Sequence, residues 1–115
     1  MRPAIKPIAI TKGITFDPLQ VVCYDTNSTI VDLTGWTVYG SARKTPGEPV
    51  AFALSPVITD APGGEITIEF TAAETSAFPV GFFEYDIVLE KPDGVRIGPL
   101  MAGPVSVVNL NSDLP

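Results

Sequence analysis

The chain has 115 residues, 45% of them hydrophobic and 17% charged, which is typical of one folded domain and excludes a largely disordered protein. The formal net charge is −6, and the seven basic residues are scattered among thirteen acidic ones, so nucleic-acid binding is disfavoured. The chain contains no histidine and a single cysteine, which excludes a Ser-His-Asp triad, an internal disulfide and the commonest zinc ligand.

The first thirteen residues combine prolines with regularly placed isoleucines. Proline cannot donate a backbone hydrogen bond, so residues 1–13 are predicted to form an extended N-terminal arm or an edge strand, never a central one. The segment lacks the apolar run of a signal peptide, and no stretch of the chain approaches a membrane span. We therefore expect a protein that is made and kept in a cytoplasm, or released from it by lysis, with no membrane partner.

The next segments predict the first strands of the domain. Ile14–Tyr24 reads as a strand in which Asp17-Pro18 marks a bulge or the true start, and Cys23 within it is expected to be a small core residue. Trp36–Arg43 alternates between two faces, with Trp36 on the apolar one. We expect Trp36 to anchor the hydrophobic core.

The middle of the chain predicts a strand and a short connecting helix. Val50–Leu54 and Val57–Asp60 are interpreted as one broken strand. Thr71 and Glu74 have the spacing of a capping box, and Pro79 follows soon after. The helix is therefore predicted to be short, near residues 72–78.

The clearest strand is Phe82–Glu90, in which apolar and mostly acidic residues alternate. A shift of one residue would bury its carboxylates, so the register is strongly specified. Glu65–Phe70 shows the same alternation, and Lys91–Gly94 predicts a hairpin turn into Val95–Met101 and Val105–Val108. The residues predicted to point inward from the clearest strand are Phe83, Tyr85, Ile87 and Leu89.

These elements predict an all-β fold. About seven to eight short strands, punctuated by turns and joined by one short helix, favour an immunoglobulin-like antiparallel β-sandwich, with a small barrel as the alternative. The sandwich is expected to span residues 14–108, between the arm and a C-terminal tail at 109–115.

The acidic residues do not predict a catalytic or metal site. Glu84 and Asp86 occupy alternate strand positions about 7 Å apart, which favours a solvated face over a paired-carboxylate site. Asp25, Asn27 and Asp32 match no metal-binding loop. We expect no enzyme activity, no cofactor and no bound metal.

Apolar residues outside the predicted core are the candidates for binding a partner. Phe82 and Val88 lie on the charged face of the clearest strand. The two ends of the chain are expected to be mobile until they dock on another protein, because they have no obvious place inside a closed sandwich. The candidate partner-binding residues at the ends are Ile5, Ile8, Ile10, Leu110 and Leu114.

Several segments together resemble a known family. They are Leu19-Gln20-Val21-Val22, Val31–Thr37 with its Asp-Leu-Thr-Gly run, Gly64–Thr75, and Gly81–Ile87. Across about residues 14–108 the chain resembles the small immunoglobulin-like domain of tailed-bacteriophage structural proteins. It is similar to the N-terminal domain of baseplate upper proteins and to stand-alone late-region virion proteins.

The resemblance implies a non-enzymatic virion protein that attaches to other capsid or tail proteins, as a homo-oligomer or in multiple copies. Since no stalk or receptor-binding part follows residue 115, a capsid decoration or cement protein is expected ahead of a tail, neck or baseplate adaptor. A different class, a carbohydrate-binding β-sandwich, stays open. Its outward aromatic residues would be Tyr39 and Phe82.

Overall fold

The computed structural model describes residues 4–45 and 47–109, with only the backbone of residues 4 and 5, and most of them lie in strands. A single short helix connects two of the strands in this part of the chain. The elements are β1 (Ala4–Ile5), β2 (Ile8–Thr11), β3 (Phe16–Val22), β4 (Thr37–Arg43), β5 (Val50–Ala53), β6 (Val57–Asp60), β7 (Glu65–Phe70), α1 (Ala72–Ser76), β8 (Gly81–Glu90) and β9 (Arg96–Val108).

The strands form two sheets that enclose the core. In the large sheet the order is β1 and β2 beside β9, then β8, β4 and β5, and in the small sheet it is β3, β7 and β6. All pairings are antiparallel except those of β1 and β2 with β9. Since β4, β8 and β9 share one sheet and β3, β6 and β7 the other, the connectivity is that of an immunoglobulin-like sandwich. The predicted fold class is confirmed.

Strand β8 has the predicted register at the centre of the large sheet. It pairs with β4 on one side and with β9 on the other. Phe83, Tyr85, Ile87 and Leu89 are each at most 3% exposed, and the intervening residues face outward. The desolvation cost of a carboxylate explains this outcome, because the other register would bury Glu84 and Asp86.

Trp36 is only partly buried, so the prediction that it anchors the core is wrong. The Trp36 amide donates to the Leu33 carbonyl at 3.0 Å across a tight turn, and Gly35 within that turn has φ of +80°. This turn places Leu33 inside, where it is fully buried, while Trp36 packs against the margin of the core. Trp36 also precedes β4, so it lies beyond the end of the paired strand.

The predicted broken strand is two strands in different sheets. Strand β5 pairs with β4 in the large sheet, whereas β6 pairs with β7 in the small one. Leu54 is fully buried at the crossing, and its amide donates to Gly40 O at 3.0 Å. Pro56 follows shortly and has no N–H to continue that ladder, which is consistent with the chain leaving the large sheet there.

The N-terminal segment forms β1 and β2 at the edge of the large sheet, as the edge-strand alternative predicted, but the expected exposure of Ile8 and Ile10 is wrong. Ile8 and Ile10 are 3% and 1% exposed and belong to the core. They pair in parallel with Val105 and Val107 of β9. The 13-residue β9 would otherwise present a long open edge, and covering that edge satisfies its backbone groups and buries the isoleucines.

Tyr85 ties this segment to the body of the sandwich. Its hydroxyl donates to the Lys6 carbonyl oxygen at 2.6 Å. A Cβ added at Gly103 would lie 2.8 Å from the same oxygen, so only glycine lets the segment approach β9 this closely. The segment between β1 and β2 is therefore held by the central strand as well as by its neighbour.

The predicted turns and helix cap are present. The Thr71 side chain accepts from the Glu74 amide and the Glu74 carboxylate accepts from the Thr71 amide, which completes the capping box of α1. The Lys91 amide donates to Val95 O at 2.8 Å in the predicted hairpin. A register shift between Phe16 and Leu19 marks the predicted bulge. The two segments predicted after the hairpin are one continuous β9.

Proline lies in or directly beside the outer strands of both sheets. Pro7 separates β1 from β2, Pro18 is within β3, and Pro49 and Pro56 immediately precede β5 and β6. Proline has no backbone N–H to donate, so these positions hinder the extension of the outer strands and their pairing with a strand of another chain.

Candidate interaction surface

Of the residues predicted from sequence to bind a partner, the two whose side chains are described do not lie on the surface. Ile8 and Ile10 lie in the core, as described above. Ile5 belongs to β1, where it pairs with Ala102, and its side chain lies outside the description. Leu110 and Leu114 lie outside the described residues. A different surface is the better candidate. It is the outward face of β8 with the adjoining strands β4, β9 and β2, called the outer face below.

The outer face carries the most exposed large apolar side chain among the described residues. Phe82 is 79% exposed, whereas Phe83 beside it is 3% exposed. The two rings differ because successive strand residues point to opposite sides of a sheet. In a Phe-Phe pair within a strand covered on one side, one ring must face away from the core.

The other five phenylalanines form a continuous chain of ring contacts between the sheets. Phe78, which follows α1, bridges Phe70 of the small sheet at 5.0 Å and Phe52 of the large sheet at 4.4 Å. Phe16 extends the chain from Phe70 at 5.6 Å. Phe83 extends it from Phe52 at 5.3 Å. These spacings are those of favourable aromatic pairs, so Phe82 is the exception in a fold that packs its other phenylalanines together.

Small residues surround Phe82 on the neighbouring strands. It lies opposite Ser106 of β9, which in turn lies opposite Ala9 of β2. Pro104 and Val108 occupy the diagonal outward positions of β9, and Val108 is 45% exposed. The Phe82 ring therefore projects above smaller and mostly apolar side chains.

Next to these residues, a shallow groove of about 290 Å³ lies along β8. Glu84 and Asp86 line it, and these carboxylates lie opposite Arg43 and Ser41 of β4. The Arg43 guanidinium donates through Nη1 to Glu48 O at 2.6 Å. Within residues 4–45 and 47–109 neither Glu84 nor Asp86 forms an ion pair. The groove thus presents two solvated carboxylates and one guanidinium, which leaves one negative charge in excess.

The far end of the outer face is internally paired. Arg96 Nε donates to Glu90 Oε2 at 3.0 Å, and the same guanidinium lies 5.7 Å from the centre of the Tyr39 ring. The hydrogen bond and charge of Glu90 raise the pKa of Arg96. A second depression of about 310 Å³ lies beside Tyr39, Val88 and Arg96. Tyr39 is 46% exposed, so the two aromatics predicted to face outward do so.

The acidic residues of the loops stabilise their own turns. Asp25 Oδ1 accepts from the amides of Asn27 and Thr29 at 2.8 and 3.0 Å. Asp32 Oδ1 accepts from the hydroxyl and amide of Thr34, and these bonds lower the pKa of Asp32. No three acidic, cysteine or histidine side chains come close enough to hold a metal ion in the part of the chain that is described.

Sequence reasoning identified Phe82 and the carboxylates but missed the groove itself. The Phe-Phe pair is a local signal that could have singled out Phe82 alone. Arg43, Pro99 and Ala102 join Glu84 and Asp86 only through the pairing of three strands. No spacing along the chain could have shown that arrangement.

No family model matches the chain, and no curated protein matches it either. Among the described residues, no helix has the length and apolar character needed to cross a bilayer.

Proposed function

We propose that this chain is a non-enzymatic structural protein of a bacteriophage virion that attaches to other virion proteins through the outer face. The observation that carries attachment is Phe82, which is 79% exposed while the other five phenylalanines pack against one another. Exposing a large ring loses the free energy that its burial would contribute, on the order of 1.5–3 kcal/mol. A partner that covers the ring recovers that free energy.

The chemistry of the outer face supports binding rather than catalysis. The chain has no histidine, and Glu84 and Asp86 lie side by side on an open face. The side chain that most often serves as a general acid or base is therefore missing, and the open face does not exclude water from the two carboxylates. The prolines at the sheet edges further favour a contact made by a face.

The virion part of the proposal rests on the family that the sequence resembles and on its sandwich fold. Within the virion we propose a capsid decoration protein, present in multiple copies around a symmetric shell. If the copies are joined in an oligomer, a weak individual contact becomes effective, because the first contact raises the local concentration of the linked copies at their own sites. A tail, neck or baseplate adaptor would use the same surface on a different partner.

The test is to locate the chain in separated heads and tails of the phage that encodes it. We expect mass spectrometry to find it in purified heads, at a copy number that matches the capsid symmetry. Its presence in tails alone would move the protein to the adaptor role. Its absence from both fractions would contradict the virion proposal.

A carbohydrate-binding module is the second candidate, because Tyr39 and Phe82 are both exposed on the outer face. Aromatic rings on one face are a common platform for sugars, yet these two are separated by about 20 Å along the sheet. Calorimetric titration with host cell-wall glycans tests this role. Binding that Tyr39→Ala abolishes and Val57→Ala preserves would favour it over attachment to a virion protein.

A further inference from the structure

We infer that the outer face binds a basic, extended protein segment that carries an apolar residue and, two residues away, a lysine or arginine. This inference rests on the attachment function proposed above and specifies the chemistry of the partner. The apolar residue packs on Phe82, and the basic residue enters the groove beside Glu84 and Asp86.

The spacing of the outer face determines this pattern. Phe82, Glu84 and Asp86 are successive outward residues of β8, so neighbours in this row are about 7 Å apart. An extended partner segment repeats the same distance between its residues i and i+2. One short partner segment therefore places an apolar side chain against Phe82 and a cation beside Glu84.

The contacts of Glu84, Asp86 and Glu90, the outward carboxylates of β8, explain why the partner's cation binds in the groove. Glu90 already binds Arg96 at 3.0 Å. Glu84 and Asp86 form no ion pair within the described ranges, and the nearby Arg43 donates to Glu48 O. An incoming guanidinium donates to such carboxylate oxygens at short distance and in bidentate geometry.

Charge favours a basic partner over a second copy of this chain. The formal net charge is −6, so two copies repel each other at long range. A face-to-face pair would also bring two sets of Glu84 and Asp86 into one interface. A basic segment instead gains attraction at both long and short range.

The first experiment uses a defined probe on the full chain. Acetyl-Leu-Gly-Arg-amide is titrated into isotope-labelled protein, and acetyl-Leu-Gly-citrulline-amide serves as the neutral control. We expect amide shifts confined to Phe82–Asp86 and the facing residues of β4 and β9, with affinity about fivefold or more higher for the arginine peptide. Equal affinity for both peptides, or shifts located elsewhere, would overturn the inference.

The second experiment uses variants and virions assembled without this chain. We expect Phe82→Ala, and separately the double variant Glu84→Gln with Asp86→Asn, to weaken binding about tenfold or more. Added salt should weaken binding by the wild type but not by the double variant. The matched controls Val57→Ala and Glu69→Gln change exposed residues of the small sheet and should bind normally.

The outcomes separate the two proposals. Loss of binding in both sets of outer-face variants, with salt dependence that the double variant lacks, supports the basic partner. Loss in Phe82→Ala alone, without salt dependence, overturns the basic partner and keeps attachment through the outer face. Normal binding by every variant, or no binding by the wild type, contradicts attachment through this surface.

Discussion

The ten residues of β8 are divided between two faces that differ in composition and exposure. Its inward residues, from Phe83 to Leu89, are at most 3% exposed and pack between the sheets. Its outward residues, from Phe82 to Glu90, combine one protruding ring with three carboxylates. We therefore expect adjacent residues to affect stability and the proposed binding separately, because side chains alternate across the sheet. Variants of each face should change one property and leave the other intact.

Truncation of the inner face should have the largest effect. Phe83→Ala removes a buried ring from the aromatic chain and should lower the free energy of unfolding by about 3–5 kcal/mol. Urea unfolding followed by tryptophan fluorescence measures the loss. Phe83→Leu, which keeps more of the volume, should fold with a smaller loss. A loss below about 1 kcal/mol for Phe83→Ala would contradict the register of β8.

A pH titration tests the burial of Cys23, which directly follows β3 of the small sheet. Burial raises the pKa of the Cys23 thiol from 9.0 to about 11. As pH rises, the thiol ionises in the unfolded chain before it ionises in the folded protein. The contribution of the neutral Cys23 thiol to stability is therefore fully present below pH 9 and is lost as pH rises towards 11. Unfolding free energy should fall by about 2 kcal/mol over this range. Cys23→Val should show a smaller fall, and identical curves for the two proteins would contradict burial of the thiol.

The hydroxyl of Tyr85 should have an intermediate effect on the inner face. Tyr85→Phe removes the hydrogen bond to Lys6 O and should lower the free energy of unfolding by about 1 kcal/mol. Amide exchange of Ile8 and Ile10 should increase, because the bond holds their segment. Tyr39→Phe, on the outer face, is the control and should leave this exchange unchanged. Unaltered exchange in Tyr85→Phe would show that pairing with β9 alone holds the segment.

The smallest effect on stability is expected on the outer face. Phe82→Ala should change the free energy of unfolding by at most about 0.5 kcal/mol, because the ring makes few contacts in the free protein. The same urea experiment measures it. A loss of several kcal/mol would mean that Phe82 supports the fold, and its exposure would then no longer indicate a binding role.

Much of the fold could be predicted because its signals are local. The alternation in Phe82–Glu90, the capping box at Thr71 and the hairpin turn at Lys91–Gly94 each depend on residues a few positions apart. The predictions that failed concern the placement of whole segments. Ile8 and Ile10 were expected outside, and Trp36 was expected inside.

The candidate surface divides in the same way. Phe82 and the outward carboxylates follow from alternation in one strand. The groove does not, since Arg43, Asp86 and Ala102 come from three strands. Likewise, no local signal shows that an edge of β9 is open until the sheet is assembled.

Sequence alone therefore determined which residues of each strand are apolar and where the chain turns, because these properties depend on side-chain chemistry and on local backbone geometry. Tertiary structure decided which apolar segment covers which surface. The parallel pairing of Ile8 with Val105 joins distant parts of the chain, and it forms because β9 offers an unpaired edge and an apolar inner face. Such a choice depends on the complementarity of surfaces that exist only after the strands have paired.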